Sequence, residues 1–336
     1  MDDKKELLRR KYDELVNEDP DVKHWIVDVI GKSKSTFKQY KRSINIFSVI
    51  SIIVMFIIFY RVSQNTSTLI NFFEGISFEA IAIGSFIFFM VIIIIALRVI
   101  KKNDNTRKKY REKVEIPLIK IGCNPEEIND KRGIQSAIYR RGGFREGYDS
   151  YTTKGYMRFK RENIEIELAK VITMYEATEN RQTIYTFEGL VAVARLNENI
   201  TKGYIKIFSD KDDKRRKEYK GPNEKIHMDS VEFEQQFDVY SDDPITALKI
   251  LTTSVMQELI EIKQKYNWDY DITITGNIII LRVRIKNASY LLSFRVGQFE
   301  NLPKGQDIKE SLIYDIDLVS NMIDFTETIS KYINNE

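Results

Sequence analysis

The chain reads as an α+β protein. A transmembrane hairpin of two helices is followed by a cytoplasmic domain of mixed, mostly antiparallel sheet. That domain has one helix begun by a proline and another that closes the chain. Three observations carry this reading. Residues 44–60 (INIFSVISIIVMFIIFY) and 80–97 (AIAIGSFIFFMVIIIIAL) contain no charged side chain. Several segments after residue 136 alternate apolar and polar residues with the period of two of a half-buried strand. Residues 309–333 space their apolar residues three and four apart, as on one face of a helix.

The elements follow in order. Residues 1–43 are a polar cytoplasmic segment, in which Leu7, Leu8, Tyr12 and Leu15 suggest a short helix. Asp19-Pro20 ends it, and Asp21 is placed to cap a second helix carrying Trp25, Ile26, Val29 and Ile30. The apolar runs define spans at 44–62 and 78–100, joined by an extracytoplasmic loop, 63–77. With its flanks each reaches the ~20 residues that cross a ~30 Å hydrocarbon core. Lys32, Lys34, Lys38, Lys41 and Arg42 precede the first span, and Lys101, Lys102, Arg107, Lys108, Lys109, Arg111 and Lys113 follow the second. Residues 61–79 hold only Arg61 against Glu74 and Glu79. Basic residues stay on the cytoplasmic side, so both termini are expected there. No small-residue cleavage site follows the first run, so a cleaved signal peptide is not expected.

Composition agrees. Charged residues make up 30% of the chain, and the spans account for much of its 43% apolar content. The net charge of +3 conceals a basic juxtamembrane region and a more acidic C-terminal third. That asymmetry predicts contact with an anionic surface, the nearest being the chain's own bilayer. Lys101, Lys102, Arg107, Lys108, Lys109 and Arg111 are the expected headgroup contacts, each worth about 1 kcal/mol beside anionic lipid. They open a basic helical linker, 101–135, with Pro117 and Gly122 as its interruptions. The lone Cys123 excludes an internal disulfide framework.

Residues 136–336 are long enough for one domain with its own core. Ile164, Ile166 and Leu168 alternate with Glu165, Glu167 and Ala169, after a turn at Arg161-Glu162-Asn163. Residues 184–196 and 203–209 are further strands, and Gly189 marks a bulge in the first of them. Residues 210–223 are a charged loop. Asp243-Pro244 starts a helix, since Asp caps and Pro suits the first turn. Leu248, Leu251, Val255, Leu259 and Ile262 line its apolar face. Two strands flank Thr275-Gly276-Asn277, and 288–296 is a third. Leu312, Ile316, Val319, Ile323 and Ile333 line the closing helix.

Chemistry-bearing motifs are sparse. His24, His227 and Cys123 have no zinc spacing, and no Ser sits in a nucleophile elbow. Arg140-Arg141-Gly142-Gly143-Phe144-Arg145-Glu146-Gly147 lacks the Gly-Lys-Ser/Thr of a phosphate loop and reads as a basic loop entering the domain. Glu232, Glu234, Asp238, Asp242 and Asp243 are the best acid–base cluster, although capping already explains Asp243. The basic loop around Lys211, Lys214, Arg215, Arg216 and Lys217 lacks interleaved aromatics, so no nucleic-acid partner is expected. No cofactor and no metal are expected. The spans carry no ionisable group within them, so they anchor, and a pore would require a homo-oligomer.

The stretch VEFEQQFDVYSDDPITALKILTTSVMQELIEI resembles the hallmark of the bacterial family called domain of unknown function 3137. The matching residues are Glu232, Phe233, Glu234, Phe237, Val239, Tyr240, Asp243, Pro244, Leu251, Thr252, Met256 and Leu259. Upstream, Phe187, Glu188, Gly189 and Leu190 look like the family's Phe-x-Gly-Leu strand, and Gly276-Asn277 before an apolar strand also fits. The resemblance implies a two-span protein of a bacterial plasma membrane with a cytoplasmic α+β domain, and it carries over no established activity and no catalytic residues. The expected function is a membrane-anchored binding or scaffold module with a protein or lipid partner. The second reading, from a different class, is a membrane-bound hydrolase using Asp238, Asp242 and Asp243.

Overall fold

A nine-stranded antiparallel sheet organises the described part of the chain, seen in a computed structural model. The structure describes residues 2–24, 108–144, 147–162, 164–177, 182–209, 224–284 and 308–334, with residues 26, 90, 94, 98, 105 and 106 between them. These fall into two compact units. One takes residues 2–12 and those from 115 onward; the other takes 13–114. The two apolar runs, the loop 210–223 and the strand expected at 288–296 lie outside the described residues, save Met90 and Ile94. Among the described residues no helix is long and apolar enough to cross a membrane.

The strands are β1 (Glu127–Asn129), β2 (Ser150–Arg161), β3 (Ile164–Ala177), β4 (Gln182–Arg195), β5 (Thr201–Ser209), β6 (Glu224–Ile226), β7 (Phe237–Ser241), β8 (Tyr270–Gly276) and β9 (Ile278–Arg284). Their spatial order is β1-β2-β3-β4-β9-β8-β5-β7-β6. The helices are α1 (Asp2–Glu18), α2 (Pro20–His24), α3 (Ile116–Cys123), α4 (Ser136–Arg141), α5 (Val231–Gln236), α6 (Pro244–Ile250), α7 (Thr253–Tyr266) and α8 (Ile308–Asn334). The β2–β3 turn is where the sequence places it, with Glu162 at φ 48°. The central strand β9, IIILRVR, is buried through Val283, because it packs on both faces of the sheet.

Register assigns the faces. Ile166, Ala194, Ile279, Ile274 and Ile205 line up on one face, and α8 packs against β3 and β4 as well as α3. The other face joins Ala169, Val171, Val191, Val193 and Ile280 to Ile134, Tyr139 and Phe187. The closing helix is as expected, with Leu312, Ile316, Val319, Ile323 and Ile333 all buried. In the same unit, the start of α1 holds α8 through Lys4 to Ser320 (2.8 Å), Lys5 to Asp317 (3.0 Å) and Arg9 to both oxygens of Glu310 (2.8 Å).

Four local expectations are corrected. Asp19, not Asp21, starts α2, because its Oδ1 accepts the amides of Asp21 (3.0 Å) and Val22 (3.3 Å). Gly122 does not interrupt the linker helix; it lies inside α3, where a Cβ would collide with Ile316 of α8. Pro117 stands in the first turn of α3, directly after a π-helical turn, Arg111–Glu115. The apolar periodicity after Asp243 is shared by two helices, because the Thr252 hydroxyl accepts the Val255 amide (3.4 Å) and restarts the chain as α7. Leu248, expected on the apolar face, is 51% exposed.

Gly189 is also reassigned. The register shift lies between Thr173 and Met174, whose partners are Phe187 and Tyr185, so Thr186 is the extra residue of β4. At Gly189 a Cβ would run into the Val283 carbonyl of β9 and the Phe187 ring. Gly189→Ala is therefore expected to cost about 1–3 kcal/mol by overpacking, read as a lowered denaturant midpoint. An unchanged midpoint would show that β9 can yield there.

Candidate functional site

The segment from Phe233 to Pro244 carries the carboxylates singled out above. The Ser230 hydroxyl accepts the Phe233 amide (3.3 Å) and begins α5. The Phe233 ring then stacks on Phe237 at 4.9 Å, and Phe237 meets Tyr270 at 5.6 Å. Phe233, Phe237, Val239 and Tyr240 are all buried, so the apolar members of the segment are core.

Its carboxylates have separate structural partners. Asp238 pairs with Lys225 of β6 at 2.8 Å, and that bond raises the lysine's pKa. Asp242 accepts the Tyr204 amide of β5 (2.6 Å). Asp243 caps α6 by accepting the Thr246 amide (3.1 Å), and bonding to Thr246 holds its carboxyl below the usual range. Glu234 accepts the Met228 amide (2.9 Å) and meets His227 Nδ1 (3.2 Å); the Met228 bond is the main cause of its lowered pKa. Glu232 is exposed. General acid–base work needs two carboxyls whose surroundings divide one task between them. Here Asp238, Asp242, Asp243 and Glu234 are engaged by separate partners, and the pKa values of Glu234 and Asp243 are lowered.

Of the basic residues after the second apolar run, Lys108, Lys109 and Lys113 face carboxylates of the chain. Lys101, Lys102 and Arg107 lie outside the described residues. Lys108 stands 3.8 Å from Glu112, one helical turn on. Lys109 meets Asp21 at 2.7 Å, and that bond raises its pKa. Arg111, the sixth expected headgroup contact, opens the π-helical turn. Lys113 meets Asp19 at 2.6 Å.

Sequence reasoning missed the most charged part of the domain interior. Register places Asp271 of β8 opposite Arg282 of β9, and Lys206 of β5 beside Thr273 on the same face. Arg282 Nε and Nη2 both lie 2.6 Å from Asp271 Oδ2, with both side chains 2% exposed. The guanidinium sits 3.9 Å from the Phe144 ring centroid and 5.1 Å from that of Phe187, and also donates to the Tyr139 hydroxyl (3.3 Å). The Arg-Gly-Gly-Phe loop is the cover over this pair. The Thr273 hydroxyl donates to the Gly142 carbonyl (2.7 Å). Gly143 turns at φ 53°, where a Cβ would crowd the Lys206 ammonium. The signal was Arg282 and Arg284 standing two apart in an otherwise apolar strand.

Among the described residues no group of His, Cys, Asp and Glu could hold a metal ion. Cys123 is buried, its thiol donating to the Ile316 carbonyl (3.4 Å), and burial pushes its pKa up to about 12. The fold thus favours the neutral thiol. That contribution is complete below the ordinary value of 9.0 and is lost as pH rises towards 12. At pH 8 a thiol reagent is expected to label Cys123 only after denaturant is added; fast labelling of the native chain would contradict its burial.

Comparison with known proteins adds the following. Residues 185–327 match the family described as "Protein of unknown function (DUF3137)". The match begins in β4, ends in α8 and leaves out both apolar runs. No curated protein matches. The crystal structure of the mycobacterial trehalose monomycolate transport factor A, TtfA, is similar with a TM-score of 0.36 at 9% identity, over 64% of this chain and 93% of that one. A likeness so distant carries no argument about function.

Proposed function

We propose that this chain, whose residues 185–327 belong to the DUF3137 family, is a membrane-anchored cytoplasmic binding module. It is tethered by residues 44–60 and 80–97, with both flanks of that pair on one side. The tether is supported by the charge-free length of those two runs, and the one-sided flanks by the Asp19–Lys113 bond of 2.6 Å, with Asp21–Lys109 at 2.7 Å beside it. These partners stand before the first apolar run and after the second. A single crossing between them would leave ~30 Å of hydrocarbon between groups that touch. An even number of crossings leaves them together. In the other unit, Arg9 and Glu310 also come from opposite ends of the apolar pair and meet at 2.8 Å. Met90 and Ile94, one turn apart in the second run, are 45% and 47% exposed, which suits a lipid-facing helix.

The binding reading rests on what the carboxylates do. Asp238, Asp242 and Asp243 serve strand pairing and a helix start, so the hydrolase alternative has no observation in its favour. The partner is a protein or a lipid surface, and a second copy of the chain remains a candidate. Membrane fractionation tests the tether. The chain is expected to stay with membranes through alkaline carbonate, and deletion of residues 44–97 is expected to release it. Full release of the intact chain by carbonate would refute anchoring.

A further inference from the structure

We propose that Asp19 and Asp21 form an electrostatic latch, in which they compete with anionic lipid headgroups for Lys113 and Lys109. The inference rests on the anchored reading above. It goes further by giving the basic residues after the second apolar run two alternative partners.

The two contacts are built differently. Lys109–Asp21 is an exposed pair, its side chains 47% and 69% exposed. Such a pair is weak and screened by salt. Lys113–Asp19 is firmer, because the Asp19 side chain is only 9% exposed and its other oxygen starts α2. The Lys113 bond is the main cause that holds the Asp19 carboxyl below its usual range. Lys109 and Lys113 lie four residues apart, the latter within the π-helical turn Arg111–Glu115, a geometry that recurs at functional positions. Val22 is the one buried side chain of α2, so the two ion pairs decide whether this short helix stays docked.

Charge gives the direction. An anionic leaflet draws lysines close to it and repels aspartates, within a Debye length of roughly 8 Å at physiological salt. Lys109 stands within the stretch after a span where basic residues act on the membrane surface. The leaflet therefore weakens both contacts at once, the outer before the inner. In a neutral bilayer the aspartates are the only strong anions offered to these lysines by α2 and the residue before it. In an anionic one the lipid phosphates take them, and α2 is released.

The test uses the full chain in nanodiscs, with spin labels at Lys23→Cys and Glu112→Cys. Both positions are exposed, and the buried Cys123 stays unlabelled. In phosphatidylcholine discs one short label distance is expected. With phosphatidylglycerol added, most of that short population should disappear. The double variant Asp19→Asn with Asp21→Asn keeps a helix-capping side chain and should lose the short population in both lipids. Inorganic phosphate added to phosphatidylcholine discs should leave it intact, which separates lipid from free anion. A short population of equal size in both lipids overturns the latch, as does an equal effect of free phosphate. A chain that elutes apart from the lipid overturns the anchored reading first and the latch with it.

Discussion

Arg282→Ala is expected to destabilise the domain by about 3–5 kcal/mol, more than any change at its surface. The pair it breaks is fully buried, with both guanidinium contacts to Asp271 at 2.6 Å. Removing one partner leaves an uncompensated charge in the interior, which is where the large cost arises. The expected pattern separates charge from volume. Arg282→Leu alone is expected to remain costly, because Asp271 stays buried and loses this partner. Arg282→Leu with Asp271→Leu is expected to recover most of the loss, since apolar replacement of a buried pair is often close to neutral. The exposed Arg132–Glu127 pair provides the contrast, its arginine 55% exposed at 3.1 Å. Arg132→Ala is expected to cost no more than about 1 kcal/mol. Denaturant unfolding followed by the fluorescence of the buried Trp268 measures all four. A mild Arg282→Ala, comparable with Arg132→Ala, would mean that water reaches the pair and that the Gly142–Phe144 cover does not seal it.

Phe237→Ala is the second large effect, at about 3–5 kcal/mol for truncating a buried Phe. The ring lies between Phe233 at 4.9 Å and Tyr270 at 5.6 Å, and Phe237 is 2% exposed. Asp243→Ala, only six residues on, is expected to cost about 1 kcal/mol, the usual value of an N-cap. The ranking matters because both residues belong to the stretch that resembles the family. If Phe237→Ala kept its stability and lost partner binding, the stretch would be a binding site and not core.

The pattern of elements was legible wherever one local rule governed it. Alternation exposed β3, the Thr275-Gly276-Asn277 turn set off β8 and β9, Asp243-Pro244 marked the start of α6, and spacing of three and four outlined α8. Failures occurred where two rules competed. Leu248 through Ile262 keep helical spacing, yet Thr252 offers its hydroxyl to the backbone and divides the run. Gly189 looks like a bulge in sequence, but the requirement comes from the Val283 carbonyl of a strand some ninety residues later, and no local pattern encodes that approach. The same holds for the charges. Asp271 and Arg282 are ordinary alternating residues until register sets them opposite each other. Asp238, Asp242 and Asp243 cluster in sequence, while in space they serve β6, β5 and α6. The ion pairs Asp19–Lys113 and Arg9–Glu310 span the two apolar runs, a separation that sequence alone cannot bridge.

The central claim is that the two apolar runs cross the membrane and return, leaving both flanks in the cytoplasm. It is tested most directly by cysteines at Asn65 and Asn335 and an impermeant thiol reagent on intact cells. Native Cys123 can remain, because its buried thiol is expected to be silent. The account expects Asn65→Cys to label in intact cells and Asn335→Cys to label only after the cells are opened. Labelling of Asn335→Cys in intact cells, with Asn65→Cys protected until lysis, would contradict it.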